Sequence, residues 1–407
     1  MSRRLRTLLF STLYPSSARP VHGIFVETRL RELLKSGVAE ARVIAPVPWF
    51  PGRGQRWGDY ATIARTPPRE ERNGLDVRHP RYLVVPKVGM TLAPLLLALG
   101  SVAAVRQTLQ EGFDFDLIDA HYYYPDGVAA AMLARWFNRP LTITARGTDL
   151  NLIPRYTLPR QMIRWAARRA DASIGVCKAL VEVLRGLGIP SDRLHVMRNG
   201  VDLERFHPVA AAEARRHLAV GGCPLLLSVG HLIERKGHHL VIEALAKLGG
   251  AYPDARLMIV GEGPERASLE TLAHRLGVRD RVTLVGSVPN TDLYMWYSAA
   301  DLVVLASSRE GWANVLLESM ACGTPVIATN IWGTPEVVAT PDVGRLVDQR
   351  NAEAIAGALL GALAWPFDRP TIRRYAEGFS WRQTTNDQVA VFERIAQQSA
   401  KRALRVI

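Results

Sequence analysis

The sequence has little cysteine, and no two cysteines stand at metal-site spacing. Its 407 residues include three cysteines, Cys177, Cys223 and Cys322, which lie far apart. An odd number of distant cysteines excludes a disulfide scaffold and a C-x-x-C zinc site, and favours a reduced, cytoplasmic setting. The N-terminal segment MSRRLRTLLFSTLYP lacks a small-residue cleavage site. Its apolar run therefore predicts a buried first strand and not a signal peptide.

Long uncharged runs are also scarce, with one exception. Residues 88–105, VGMTLAPLLLALGSVAAV, carry no charge between Lys87 and Arg106. Three interpretations stay open: a buried helix, which the interspersed Gly, Pro and Ser residues favour, a monotopic element on a membrane surface, and a span of marginal length. Arg78, Arg81 and Lys87 come just before this run and favour surface contact if a membrane is involved.

In the first half of the chain, acidic residues are far fewer than basic residues, whereas in the second half the two are nearly equal. Residues 1–205 contain 30 Lys and Arg against 18 Asp and Glu, a net charge of +12, whereas the remainder has 21 basic and 20 acidic residues. This asymmetry suits an anionic partner such as a phosphorylated lipid, a membrane surface or nucleic acid. A solvated, arginine-rich surface explains the charge equally well. The overall composition, 48% apolar and 22% charged, excludes a disordered chain.

Short apolar runs alternate with helical patterns, such as those over residues 25–36 and 126–137, along the whole chain. Continuous apolar runs separated by helices predict parallel sheets that are covered on both faces. Two such series predict an α/β protein with two doubly wound domains, residues 1–205 and 206–379, joined near residues 199–208. The predicted strands are residues 7–12, 41–46, 116–121, 141–146, 172–176 and 194–197, and then 224–230, 256–261, 281–286, 301–307, 324–329 and 344–348.

The segment 307–329, SSREGWANVLLESMACGTPVIAT, carries the most information about function. It follows a predicted strand, turns at Gly311 and enters a helix near Ala313. Ligands of open parallel sheets bind beyond the carboxyl ends of the strands, and a helix N-terminus there suits a diphosphate. Glu310 and Glu318 flank this turn, and a carboxylate can accept two hydroxyl hydrogen bonds from a vicinal diol. A sugar nucleotide has this layout: a ribose diol, a diphosphate and sugar hydroxyls.

The stretch EGWANVLLE, continued by GTPVIATNIWGTPEVV, resembles the hallmark of the retaining glycosyltransferases of family 4. The resemblance covers essentially the whole chain. It implies the GT-B architecture, in which two Rossmann-like domains face each other across a cleft. A C-terminal helix, at about residues 380–407, would cross back to complete the first domain. It also implies that a nucleotide-diphosphate sugar is the donor. Neutralisation of the leaving diphosphate by lysine and arginine would remove the need for a divalent ion.

The resemblance assigns expected roles to the segment 307–329, which follows a strand of the second Rossmann unit. Glu310 is expected to contact the donor sugar as a catalytic residue, and Glu318 the ribose. The other expected donor contacts are Gly311, Trp312 and Ala313, with the backbone amides of Asn314, Val315 and Leu316 holding the phosphates.

A second strand–loop–helix segment, residues 228–245, contributes cations. Arg235 and Lys236 lie at the junction of loop and helix, where they could meet a leaving diphosphate. The family usually has an Arg where this chain has His231, so either Arg235 supplies the guanidinium or His231 donates one hydrogen bond. His238 and His239 are neighbours on the helix, and we interpret them as surface residues and not as metal ligands.

Two further loops of the second half follow strands. The family uses a loop such as 260–266, VGEGPER, beneath the nucleotide, which implicates Gly261 and Glu262. In the loop GSVPN, residues 286–290, backbone atoms of Val288 are expected to read the base. A plain tight turn explains either loop equally well.

The first half offers its own candidates at strand ends. His121 leaves a strand into an aromatic loop, and in the family a His here faces the donor sugar. Arg146 and Asp149 end the next strand and are expected to contact the acceptor or the donor sugar, with a structural Arg–Asp pair as the alternative. Gly23 follows the first strand and either lets the backbone approach the phosphate or is an ordinary turn glycine.

Two patterns are interpreted as structural. The D-x-D match DFD, residues 114–116, stands at the start of a strand and predicts a solvated strand entry. Residues 160–169, RQMIRWAARR, predict either a solvated helix face or a contact with an anionic lipid.

The sequence therefore predicts a retaining, metal-independent glycosyltransferase that uses a nucleotide-diphosphate sugar, with UDP ahead of GDP. The expected acceptor is a glycan or a lipid-linked sugar in bacterial surface-polysaccharide assembly. The expected state is a cytoplasmic monomer or weak dimer, in contact with the inner membrane or free of it, with no cofactor and no nucleic-acid partner. Two alternatives stay open: a sugar-nucleotide 2-epimerase of the same architecture, and a non-catalytic nucleotide-binding protein at the membrane.

Overall fold

The structure, a computed structural model, describes residues 3–49, 58–84 and 89–404. Contacts between residues divide the chain into two compact units. The first comprises Met1–Arg198 together with Arg382–Ile407, and the second comprises Asn199–Trp381.

The first unit contains ten strands and seven helices among the described residues before residue 199, in alternation along the chain. The strands are β1 (Leu5–Phe10), β2 (Ala39–Ile44), β3 (Val47–Pro48), β4 (Arg69–Arg72), β5 (Leu75–Arg78), β6 (Arg81–Tyr82), β7 (Leu117–His121), β8 (Leu141–Ala145), β9 (Ala172–Gly175) and β10 (Leu194–Val196). The helices are α1 (Ile24–Lys35), α2 (Asp59–Ala64), α3 (Gly89–Gln110), α4 (Val128–Trp136), α5 (Thr148–Asn151), α6 (Thr157–Arg169) and α7 (Lys178–Gly186).

Eight of these strands form one sheet in the order β10-β9-β8-β7-β1-β2-β5-β4. All neighbours are parallel except β4, which pairs antiparallel with β5 and so departs from the expected all-parallel sheet. Asn73 and Gly74, both at positive φ, form the tight turn between these two strands. Strands β3 and β6 form a separate parallel pair.

The second unit repeats the alternation. Its strands are β11 (Leu225–Val229), β12 (Arg256–Val260), β13 (Val282–Gly286), β14 (Leu302–Leu305), β15 (Val326–Thr329) and β16 (Gly344–Val347), in the parallel order β13-β12-β11-β14-β15-β16. Its helices are α8 (Ala211–Leu218), α9 (His238–Lys247), α10 (Arg266–Arg275), α11 (Leu293–Ala299), α12 (Asn314–Ala321), α13 (Thr334–Val337), α14 (Ala352–Leu363) and α15 (Arg369–Glu377). Each of the predicted apolar runs overlaps a strand, so the doubly wound α/β fold is confirmed for both units.

The last helix, α16 (Trp381–Leu404), packs in the first unit. Val391, Phe392 and Ile395 lie in the same apolar core as strands β1 and β2. The segment after residue 198 belongs instead to the second unit. Its Val201 amide donates to the Phe379 carbonyl, and the Arg373 guanidinium donates to the Phe206 carbonyl. The turn expected to join two domains is therefore packed into the second one.

Helix α3 contains all of the uncharged run except Val88, which, like Lys87, lies outside the described residues. It packs on β6 so closely that a Cβ on Gly100 would lie 2.7 Å from the Arg81 carbonyl oxygen. By length and composition, it is the one helix in the described part of the chain that could cross a membrane.

Candidate active site

In the second unit, the strand order reverses beside β11. The chain runs outward from β11 to β12 and β13 on one side, and from β14 to β15 and β16 on the other. At such a switch point the loops after the two central strands diverge and leave a crevice at the carboxyl edge of the sheet. These two loops, after β11 and after β14, carry Lys236 and Glu310.

The two loops are joined by an ion pair. The Lys236 Nζ atom lies 2.6 Å from Glu310 Oε1, and the Ser307 hydroxyl donates to the same oxygen over 2.7 Å. Arg235 adds a second cation 3.9 Å from Glu310 Oε1, and its guanidinium donates to the Arg309 carbonyl. Sequence reasoning named Glu310, Lys236 and Arg235 separately, and the fold brings all three together.

Glu310 is buried, with only 8% of its surface exposed, and yet its carboxyl is ionised at neutral pH. Burial alone would raise the pKa of this carboxyl. The Lys236 ammonium, its hydrogen bond and the Arg235 guanidinium outweigh that effect and lower the pKa below its ordinary value. The crevice therefore holds a fixed negative charge between two cations.

Helix α12 begins directly after this carboxylate, at Asn314. The amides of Asn314 and Leu316 donate to the Trp312 and Ala313 carbonyls, so a bound phosphate would have to compete for them. Gly311, Trp312 and Ala313 are buried in the turn, and Val315 is partly exposed. The Asn314 side chain is held by Asn199, whose Nδ2 donates to Asn314 Oδ1 over 3.2 Å. The phosphate contacts of this turn stay a prediction.

Glu318 lies about one turn into α12, eight residues after Glu310. The Tyr297 hydroxyl donates to Glu318 Oε2 over 2.8 Å, and burial raises the pKa of this carboxyl to about 7. Glu310 and Glu318 thus differ in charge state near neutral pH, because only Glu310 is paired closely with cations.

Replacing Glu318 by glutamine is expected to stabilise the ligand-free protein at high pH. The pKa of the carboxyl is about 7 in the folded state, against about 4.5 when it is solvated. Its contribution to stability is therefore present at low pH and is lost as pH rises from about 4.5 to about 7. Denaturant unfolding should show the variant more stable than the parent by up to about 2 kcal/mol at roughly pH 8, and equal to it near pH 5.

The matched control is Glu270→Gln, which removes an exposed carboxylate from the same unit. It should show no gain that grows with pH. An equal gain in both variants would contradict a raised pKa at Glu318.

Glycines let the loops after β11, β12 and β13 pack backbone against backbone. A Cβ on Gly261 would lie 1.9 Å from the Gly230 carbonyl oxygen, and the Gly261 amide donates to the Gly286 carbonyl over 2.8 Å. Glu262 is exposed and lies 3.4 Å from Arg266, and Val288 is partly exposed at the same edge. The loops thus form one continuous rim, whereas their contact with a base stays a prediction.

His231 and His238 differ from each other in environment. His231 is exposed at the start of its loop. The interpretation of His238 as a surface residue is wrong, because its ring is fully buried with Nδ1 2.9 Å from the Ser228 hydroxyl. Burial and the nearby Lys236 lower the pKa of His238 to about 4. His238 begins α9 and turns inward beneath the loop that carries Lys236, whereas His239 stays partly exposed.

The first unit has its own switch point, between β1 and β7. Gly23 follows β1 and adopts a φ of 70°, and a Cβ there would lie 2.3 Å from the backbone of Leu13. Both features require glycine, so the turn that opens α1 is built by close backbone contact.

His121 ends β7, and its ring is bonded at both nitrogens. Arg146 lies 2.6 Å from Nδ1, and because a guanidinium can only donate, Nδ1 accepts and the proton resides on Nε2. Nε2 then donates to Asp119 over 3.2 Å. Burial lowers the pKa of His121 to about 4, so the ring is neutral. A sugar hydroxyl would reach Nδ1 only by displacing Arg146, and contact with the donor stays a prediction.

Sequence reasoning named Arg146, on one side of this ring, but missed the residues on its Nε2 side. Asp119 is fully buried and also accepts from Thr142 and from Gln388, which belongs to helix α16. Gln388 in turn accepts from the buried Arg29 over 3.0 Å. The alternation of β7, LIDAH, places Asp119 and His121 on one face of the strand. That spacing was the available signal.

Asp149 orders a loop. It is fully buried and accepts the amides of Tyr123, Arg146 and Gly147 over 2.7–3.2 Å. Arg146 donates to Asp149 through its backbone amide, and its guanidinium donates to His121. Contact of Arg146 or Asp149 with an acceptor stays a prediction.

Asp126 is a further buried carboxyl that sequence reasoning missed. It accepts from the amide and the hydroxyl of Thr12, in the loop after β1, and burial raises its pKa to about 7. It therefore ties the loop after β1 to the segment after β7.

Both aspartates of the D-x-D match, residues 114–116, form ion pairs. Asp114 pairs with Arg139, and Asp116 with Arg3 and the Arg6 amide, at the amino end of β7. Among the described residues, no group of three or more His, Cys, Asp or Glu side chains is arranged to hold a metal ion.

Two family models match the chain. One, described as glycosyl transferases group 1, matches residues 211–378, and one described as glycosyltransferase family 4 matches residues 55–205. The putative teichuronic acid biosynthesis glycosyltransferase TuaC of Bacillus subtilis is 30% identical over 365 residues, 87% of this chain and 88% of that protein. D-inositol 3-phosphate glycosyltransferase of Corynebacterium urealyticum is 31% identical over 326 residues, 74% of this chain and 76% of that protein.

Solved structures share the fold at lower identity. Sucrose-phosphate synthase from Thermosynechococcus elongatus matches with a TM-score of 0.72 at 22% identity over 99% of both chains. Anabaena HepE in complex with UDP matches with a TM-score of 0.70 at 21% identity, over 96% of this chain and 100% of that one. The two doubly wound units thus have the GT-B fold, and the family models and relatives identify a glycosyltransferase. The chain belongs to glycosyltransferase family 4.

Proposed function

We propose that this enzyme transfers a sugar, with retention of anomeric configuration and without a metal ion, from a nucleotide-diphosphate sugar to a glycan or lipid-linked acceptor. The observation that carries the proposal is the buried Lys236–Glu310 ion pair at the switch point of the second sheet. It combines a carboxylate that can grip sugar hydroxyls with cations that can neutralise a diphosphate.

The chemistry that these residues supply is electrostatic. When the glycosidic bond breaks, negative charge develops on the β-phosphate of the leaving nucleoside diphosphate. Lys236, Arg235 and the amino end of α12 would stabilise this charge, which is the part that a divalent ion plays in other enzymes. Glu310 would orient the sugar, and Glu318 the ribose.

Retention fits departure and attack on the same face of the sugar, with the leaving phosphate accepting the acceptor's proton. His121 supports this route, since its ring is neutral but bonded at both nitrogens. It would therefore position the sugar and not act as the general base. Arg146, bonded to its Nδ1, would be the group that shifts when the sugar enters.

We propose UDP as the nucleotide, and bacterial surface-polysaccharide assembly on the cytoplasmic side of the membrane as the setting. The solved structures of Anabaena HepE contain UDP, with glucose or as UDP-glucose, and TuaC is described as a teichuronic acid enzyme. The basic first unit suits a phosphorylated lipid-linked acceptor. We further propose a monomer or weak dimer with no resident cofactor and no nucleic-acid partner.

Thermal unfolding with a panel of UDP-, GDP- and ADP-sugars tests the donor. A UDP-sugar at about 100 times its Kd should add about 2.7 kcal/mol of stability, and the other bases less. The stabilising donor is then incubated with membrane-extracted glycolipids, with and without EDTA. Nucleoside diphosphate should be released at the same rate in both, and NMR should show the anomeric configuration retained.

Three outcomes would contradict separate parts of the proposal. Stabilisation by a GDP-sugar alone refutes UDP, loss of turnover in EDTA refutes metal independence, and an inverted product refutes retention. Turnover without any acceptor, yielding an epimerised nucleotide sugar, would favour the epimerase. Calorimetric UDP binding with no turnover would favour the non-catalytic binding protein.

A further inference from the structure

Helices α3, α4 and α6 pack against one another on one side of the first sheet. Tyr124 joins them, since its hydroxyl donates to the Met90 carbonyl of α3 and lies 3.9 Å from the Met162 sulfur of α6. We call their solvent-facing side the helix-layer face, defined by Leu92, Leu95 and Leu99 of α3, Trp136 of α4, and Leu158 and Arg164 of α6.

The α3 part of this face is an apolar stripe open to solvent. Leu92, Leu95 and Leu99 are 41%, 40% and 55% exposed, and they recur at three- and four-residue spacing, which places them in one line along the helix. The opposite side of α3 is buried against the domain. The helix is thus apolar on both sides, although only one side is needed for the core.

The neighbouring helices extend the apolar surface. Trp136 is 47% exposed at the end of α4, and Leu158 is 52% exposed in the first turn of α6. Single exposed apolar residues are ordinary, but a leucine stripe with further exposed apolar residues on the helices packed beside it favours an interaction site.

The charge of this face has one sign. Helices α3, α4 and α6 contain no Asp or Glu, and no acidic residue occurs anywhere between residues 77 and 110 or between 150 and 170. The exposed charges on these helices are arginines, namely Arg106, Arg135, Arg160, Arg164, Arg168 and Arg169. A protein partner would usually be met by charges of both signs, whereas apolar and cationic groups alone complement an anionic lipid surface.

We infer that the helix-layer face docks on a bilayer containing anionic phospholipid, with α3 lying in the interface and not crossing it. A span is disfavoured by the tight contact of Gly100 with β6, which makes α3 part of the folded unit. The start of α3 also lies at Tyr124, just after His121 at the carboxyl end of β7. Docking would therefore hold the candidate acceptor edge of this unit close to the lipid.

The purpose of this docking rests on the proposed lipid-linked acceptor, but the docking itself does not. The test therefore uses no substrate. Full-length protein is sedimented with vesicles of phosphatidylcholine alone, or with about one-third phosphatidylglycerol. We expect binding to the anionic vesicles that weakens at high salt, and little binding to the neutral ones.

Two pairs of substitutions probe the two components of the face. Leu95→Gln with Leu99→Gln, and Arg106→Gln with Arg164→Gln, should each weaken vesicle binding about tenfold. The matched control is Leu276→Gln with Leu360→Gln, two leucines of the second unit that are 37% and 38% exposed, and it should bind as the parent does. Circular dichroism checks that all variants are folded.

Several results would overturn the inference. One is that the parent does not bind anionic vesicles. Another is that the control pair loses as much binding as the α3 pair. A third is that alkaline carbonate does not extract the membrane-bound protein, which would indicate a span. A parent that is a stable dimer by light scattering, and becomes monomeric on Leu95→Gln with Leu99→Gln, would show that a second copy covers the face. Turnover on a water-soluble acceptor, measured in parallel, tests the proposed function separately.

Discussion

Replacing Glu310 by alanine is expected to abolish sugar transfer, with kcat/KM falling by at least about a hundredfold. The substitution removes the oxygen that holds Lys236 at 2.6 Å and Ser307 at 2.7 Å, and it removes the proposed grip on the sugar. Lys236, only 16% exposed, would then lack its anion next to the leaving group. Steady-state kinetics with the donor found by thermal unfolding measures the loss.

Glu310→Gln and Lys236→Met separate the two parts of the pair. Glutamine still accepts from Ser307 but leaves Lys236 without a countercharge. The kcat/KM of Glu310→Gln should therefore lie between that of the parent and that of Glu310→Ala. Because the groups act together, the double variant should lose less than the product of the single losses.

The chain offers a matched control for this pair. Lys247 and Glu353 form an ion pair of the same 2.6 Å length in the same unit, but their side chains are 46% and 80% exposed. Glu353→Ala should leave turnover unchanged and cost well under about 1 kcal/mol of stability. Normal turnover by a folded Glu310→Ala variant would refute the assignment of the site.

Gly261→Ala is expected both to destabilise the second unit and to eliminate donor binding. The new Cβ would lie 1.9 Å from the Gly230 carbonyl oxygen, and the residue has a φ of 147°, which side chains rarely adopt. Backbone must therefore move, and the loops after β11 and β12 would separate. We expect the free energy of unfolding to fall by about 2–4 kcal/mol and donor binding to be lost in calorimetry.

Gly277→Ala measures the cost of a positive φ without the steric contact. Gly277 also has a positive φ, of 67°, but a Cβ there would meet nothing within 4 Å. This control should cost only about 1 kcal/mol and bind the donor normally. Equal losses in the two variants would mean that backbone strain, and not the contact between loops, explains the Gly261 result.

Local patterns were sufficient to predict twelve of the sixteen described strands, all except β3, β4, β5 and β6, and the sheet edge that carries the candidate site. Continuous apolar runs such as 224–230 and 301–307 identify buried parallel strands, because both faces of such strands must be apolar. The hairpin of β4 and β5 was not predicted. Its Asn73-Gly74 turn is a hairpin signal, but the flanking residues REER and LDVR are too polar to stand out as strands.

The environment of His238 could not be predicted from its neighbours. The helix of His238 begins after Gly237, whose φ is 74° and where a Cβ would lie 2.1 Å from the Ala306 carbonyl oxygen. This close approach joins the loop after β11 to the residue that follows β14, and nothing in the spacing of residues 228–245 reveals it.

Residue type and spacing were therefore enough to indicate the two-unit α/β fold, the loops at the strand ends and the chemistry of the Glu310 segment, because periodicity and turn residues act within a few positions. Which side chains contact each functional group was decided by the tertiary structure. Lys236 meets Glu310 across 74 positions, and Gln388 reaches Arg29 across 359. Such pairs depend on which strands become neighbours at a switch point and on where α16 packs. Sheet order and helix docking are set by the burial of the whole core, a property that no short stretch of sequence contains.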